Sequence, residues 1–125
     1  MHKVVYNSDY GGFSLSLKAV EWLETNCKDS ELRDFITSLR IAGKEYSLFS
    51  KDKCLCYDVS GWFCDKRHHK DLVAVVETLG EEANGYCANL AIEEISSNKY
   101  RIDEYDGAES IITPDDSEDW VFIKD

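Results

Sequence analysis

An α+β fold is what the 125-residue chain predicts, on three observations. A β-branched run at Val4-Val5 leads into paired glycines, apolar residues recur at helical spacing in three stretches, and short alternating runs fill the last third. Together they describe one compact domain over residues 1–125, mainly antiparallel sheet with two or three packed helices. The 43% hydrophobic content is enough for a core of that size.

Residues 3–7 read as a first strand, ended by Ser8-Asp9-Tyr10-Gly11-Gly12 as a tight turn. Ser16 is placed to cap a helix in which Ala19, Val20, Leu23 and Cys27 share one face, with Lys18, Glu21 and Glu24 toward water. Ser30 is placed to cap a second, with Leu32, Phe35, Ile36 and Leu39 inward and Gly43 available to end it. Between positions 44 and 64, short aromatic and β-branched runs with a Ser60-Gly61 turn predict two or three strands or a long irregular excursion.

Near Asp71 begins the clearest helix, since Leu72, Val75, Val76 and Leu79 form one stripe and Gly80 stands at the left-handed cap position. Residues 81–85 extend it by a turn. Leu90 and Ile92, then Tyr100 and Ile102, then residues 108–113 behind an Asp106-Gly107 turn, read as an antiparallel meander. Pro114 opens an acidic link over residues 114–125 that ends in Trp120-Val121-Phe122-Ile123, either a final strand or a tail that docks on a second copy to give a homo-oligomer.

A net charge of −11 opposes direct binding of nucleic acid or an anionic membrane. The densest basic run, Lys66-Arg67-His68-His69-Lys70, is flanked by Asp65 and Asp71. Solubility is the plain reading of the acidity; mimicry of nucleic acid, or engagement of a basic protein surface, is the sharper one. Without an apolar leader or a bilayer-length segment, an intracellular protein of the cytoplasm is expected, and five cysteines predict free buried thiols rather than a disulfide framework.

Tyr10-Gly11-Gly12-Phe13-Ser14-Leu15-Ser16 joins a strand to a helix, where glycines let backbone approach a ligand and a helix N-terminus offers amides to an anion. It lacks Gly-x-Gly-x-x-Gly spacing and a Walker lysine, and a structural turn stapled to the core by Phe13 and Leu15 explains the same residues. Candidate ligand-binding residues are accordingly Tyr10, Gly11, Gly12, Phe13, Ser14, Ser16 and Arg67, with aromatic rings near Arg67 available to stack a base.

Cys54, Cys56, Cys64 and His68 hold donors for a zinc site, but Cys-x-Cys spacing on a strand is equally that of two core positions, so no metal is assigned. Cys64, His68 and Asp71 make a nucleophile, base and orienter on paper only. No cofactor and no enzymatic activity are expected.

Three stretches resemble a family of small, mostly uncharacterised proteins of tailed bacteriophages and large DNA viruses. They are Val4-Val5-Tyr6-Asn7 through Tyr10-Gly11-Gly12-Phe13-Ser14-Leu15-Ser16; Arg67 followed by Asp71-Leu72-Val73, Val75-Val76-Glu77-Thr78-Leu79-Gly80, Ala83-Asn84-Gly85 and Ala88, Leu90, Ile92, Glu94 and Ile95; and Ile102-Asp103-Glu104-Tyr105-Asp106-Gly107-Ala108-Glu109. The chain departs from that pattern at Arg67-His68-His69-Lys70, where relatives resemble Arg-x-Asp-Pro, and at Glu118-Asp119-Trp120, where many carry a basic-aromatic tail. The resemblance implies the fold and a viral origin but no established activity. The expectation it supports is a non-catalytic accessory protein of the host cytoplasm that binds a small nucleotide-like ligand or a host protein and so withholds a nucleotide-derived defence signal. The alternative is an acidic protein-interaction or nucleic-acid-mimic module.

Overall fold

Strand β1 (His2–Asn7) is buried on both sides, because Val4 and Val5 point to opposite faces of the pleat and each finds a core. Val5 joins the large helical core, whereas Val4 packs with Ile95 and Ile111 in a smaller second cluster. A computed structural model describes residues 2–42 and 51–114, with residues 42 and 51–54 described by backbone alone. β1 pairs antiparallel with β2 (Leu90–Ile95), His2 opposite Ile95 and Asn7 opposite Leu90.

Among the described residues, four helices build the large core beside this ribbon. α1 (Leu17–Asn26) begins where Ser16 Oγ accepts the Ala19 amide at 3.1 Å, and it buries Ala19, Val20 and Leu23 against α3 and α4. α2 (Ser30–Ala42) is capped one residue earlier than expected, since the Asp29 carboxylate accepts the amides of Glu31 and Leu32. α4 (Lys70–Leu79) is capped by His69, whose Nδ1 accepts the Asp71 amide at 3.0 Å, and it stops at Gly80 with φ +56°. A 3-10 turn over Gly80–Ala83 follows.

Residues 51–62 depart from the strand expectation: they form α3 (Lys51–Trp62). Leu55, Val59 and Phe63 recur every fourth residue and are buried, a helical stripe hidden in a segment of aromatic and β-branched composition. Ser60-Gly61 is not a turn; Ser60 Oγ donates to the Cys56 carbonyl one helical turn back and accepts the Leu15 amide at 2.9 Å. The domain is therefore more helical than expected, with four helices among the described residues in place of two or three.

The meander also needs correcting. Among the described residues β2 pairs with β1, and β3 (Arg101–Tyr105) pairs only with β4 (Ala108–Ile112), so these form two separate two-stranded antiparallel sheets. The hairpin turn is where it was expected, with Asp106 and Gly107 both at positive φ. The architecture is α+β in a single small domain. Gly43, residues 44–50 of the segment expected to form strands, and residues 115–125 of the acidic link with its hydrophobic end, together with any oligomeric contact it makes, lie outside the described residues. Among the described residues no helix is long and apolar enough to cross a membrane.

Candidate functional site

Gly11 and Gly12 have φ of +118° and +93°, which side-chain-bearing residues rarely adopt. A Cβ on Gly11 would stand 2.5 Å from Cys87 Cβ, and one on Gly107 would stand 2.6 Å from the Gly11 nitrogen and closer still to that of Gly12. The glycines thus let three loops touch backbone to backbone: residues 8–12, residues 84–89 and the β3–β4 turn. Further along the motif, Leu15 forms an isolated β-bridge with Asn84, and Gly85 donates its amide to the Ser14 carbonyl. Ser16 caps α1 and donates its hydroxyl to the Glu82 carbonyl. Tyr10 points outward and is 60% exposed.

Asn7 and Arg67 hold these loops from beneath. Asn7 is fully buried; its Nδ2 donates to the carbonyls of Asp9 and Gly107, and its Oδ1 accepts the Asn89 amide at 2.7 Å. Arg67 forms a bidentate pair with Glu109, at 2.6 and 2.7 Å, and both side chains are 5% exposed. Its guanidinium lies 3.8 Å from the Phe13 ring centre, and the second face of the motif is thereby occupied by a cation–π contact. Glu109 Oε1 also accepts the Asn7 amide. Of the expected ligand residues, Phe13 and Arg67 meet, Gly11 and Gly12 lie over the β3–β4 turn, and Ser14 and Ser16 face the loop after α4. Each terminal nitrogen of Arg67 donates to Glu109, and among the described residues Nε has no hydrogen-bond partner.

An open cleft of about 810 Å³ lies elsewhere, between the start of β1, the α1–α2 connection and the start of α4. All three histidines of the chain line it, together with Lys3, Lys28 and Lys70. The carboxylates on its wall are engaged internally. Asp71 accepts the amides of Lys28 and Asp29, each at 3.0 Å; Asp29 accepts from His69 Nε2 at 2.7 Å; Glu77 pairs with Lys3. Asp29 is held below the ordinary aspartate range, first by that His69 hydrogen bond and then by the Glu31 and Leu32 amides. Neither Lys28 nor Lys70 has a carboxylate partner among the described residues.

The same geometry leaves His69 without a spare nitrogen. Nδ1 accepts the Asp71 amide, so Nε2 carries the proton given to Asp29, and the ring serves as a cap. His68 Nδ1 lies 2.7 Å from the Tyr100 hydroxyl, whose pKa burial pushes up, so the phenol stays protonated. No three metal-ligating side chains converge among the described residues. The helical α3 removes the strand alternation that put positions 54 and 56 on one face, and the Cys54 side chain lies outside the described residues. Thiol burial also divides unexpectedly: Cys27 is buried and its pKa raised, first by desolvation, whereas Cys64 and Cys87 are exposed.

The basic run at 66–70 was visible in sequence, but its separation was not. Arg67 turns into the core, while His68, His69 and Lys70 join residues from β1 and the α1–α2 connection that sequence reasoning left out. Only tertiary assembly unites them. No family model, curated protein or solved structure matches the chain.

Proposed function

We propose that the protein is a non-catalytic viral accessory protein that binds a small phosphate-bearing ligand, of nucleotide size, in the cleft at the start of α4. One observation carries the reading: a chain of net charge −11 gathers every histidine and three lysines around one concavity whose aspartates are already hydrogen-bonded and whose Glu77 is paired with Lys3. An anion entering there meets the Lys28 and Lys70 ammonium groups and the amide end of α4, against an otherwise repelling surface. The cleft volume falls within the usual range for small-molecule sites, about 300–1,000 Å³. The capping role of His69 and the internally bonded carboxylates favour binding over acid–base chemistry. Sequestration of a nucleotide-derived host signal is the function such a site serves in a viral protein, and the viral assignment rests on the sequence resemblance.

Differential scanning fluorimetry with AMP, cyclic dinucleotides and inorganic phosphate tests this. A ligand that binds the folded state raises Tm with concentration, and the rise disappears in K28E/K70E while the unliganded Tm is retained. No Tm change with any phosphate compound, together with no co-purifying small molecule by mass spectrometry, overturns the reading.

A further inference from the structure

We propose that the loop tips joined at Gly11, Cys87 and Gly107 form a second surface, distinct from the cleft, that docks a lysine- and arginine-rich segment of a partner protein. Tyr10, Tyr86 and Tyr105 project from these three loops and are 60%, 92% and 78% exposed. They are three of the large apolar side chains most open to water, and the glycine contacts bring their loops together.

The platform is rigid by construction. The buried Asn7 side chain bonds to all three loops, Cys87 holds a positive φ of +63°, and the Arg67–Glu109 pair braces Phe13 and the Asn7 amide beneath. Exposed tyrosines on a fixed frame supply large contact area at little cost in side-chain freedom, which is why they recur as binding anchors.

Charge selects the occupant. Asp9, Asp103 and Asp106 accompany the tyrosines and are exposed, and no lysine or arginine occurs at positions 8–13, 85–89 or 103–108. Aromatic faces edged by carboxylates suit guanidinium and ammonium groups, which stack on the rings and pair with the acids. Nucleic acid would be repelled by the same carboxylates. This surface shares no residue with the cleft, so the two proposals stand or fall separately.

Fluorescence anisotropy with a labelled nona-arginine peptide provides the test, with a labelled DNA duplex alongside. The full chain binds the peptide and not the duplex. Y10A/Y86A/Y105A leaves net charge unchanged yet weakens peptide binding about tenfold or more, with Tm preserved. D9N/D106N weakens it more than E31Q/D34N, which removes the same charge from α2. Absence of peptide binding, an unchanged Kd in the tyrosine variant, equal loss in both charge variants, or preferential binding of the duplex would each overturn the proposal. Charge-matched variants separate docking at this surface from bulk attraction between a basic peptide and an acidic protein.

Discussion

Asn7 makes more long-range polar contacts than its size suggests. One buried amide side chain bonds to the Asp9 carbonyl two residues on and, far along the chain, to the Gly107 carbonyl and the Asn89 amide, each bond partly buried. Asn7→Ala strands those partners and is expected to cost about 2–4 kcal/mol in urea unfolding. The Arg67–Glu109 pair behaves differently, because each charge is buried and compensates the other. Arg67→Met leaves the Glu109 carboxylate without its counter-charge and should cost about 3–5 kcal/mol, whereas R67M/E109L should recover a large part of that loss. A double variant no more stable than R67M would show that the carboxylate is not what the arginine stabilises. Asp29 sets an acid dependence. Its folded-state pKa is depressed, so its contribution is complete above the ordinary aspartate value and disappears as pH falls through the lower folded value. Urea midpoints measured below about pH 4 should fall less steeply in Asp29→Asn, which keeps a capping oxygen but cannot titrate.

At the scale of elements, glycine position decides the sign of a substitution. Gly61 sits in α3 with open space where a Cβ would go, so Gly61→Ala should stabilise by about 0.5–1 kcal/mol. Gly107→Ala, at φ +87° and against the Gly11–Gly12 backbone, should lower Tm sharply and abolish peptide binding at the tyrosine loops. Destabilisation by G61A would contradict the helical assignment of this segment. These two glycines also explain what sequence could disclose. The caps at Ser16 and Gly80, the α4 stripe and the Asp106-Gly107 turn are local signals and were legible. α3 was not, because Val59, Tyr57 and Trp62 favour strands in isolation, and the Leu55–Val59–Phe63 stripe prevails only when α1 and the large core receive it. Strand pairing was equally hidden. Alternation at Leu90 and Ile92 reveals a strand but not that its partner is β1, which depends on docking over the whole chain. The candidate sites follow suit: the glycine motif was apparent, while the closure of its loops and the cleft around α4 are tertiary.

Across the whole molecule, reactivity should follow burial. Cys27 combines burial with a raised pKa, and Cys64 and Cys87 lie at the surface. Iodoacetamide footprinting of the native protein should therefore modify Cys64 and Cys87 well before Cys27, with denaturant erasing the difference. Early alkylation of Cys27 would indicate that the junction between α1 and α2 opens readily.

The pairing of β1 with β2 carries a consequence for how the protein is born. His2 must find Ile95, and the Gly11–Gly12 turn must meet Gly107, before either strand or loop has its final neighbours. During synthesis β1 emerges first and waits, unpaired, until the chain has grown past β2. Contacts so distant along the chain slow folding relative to a helical bundle of equal length. A nascent chain stalled before position 90 should remain protease-sensitive despite containing all four helices, and binding through the tyrosine loops should appear only once the β3–β4 turn has emerged.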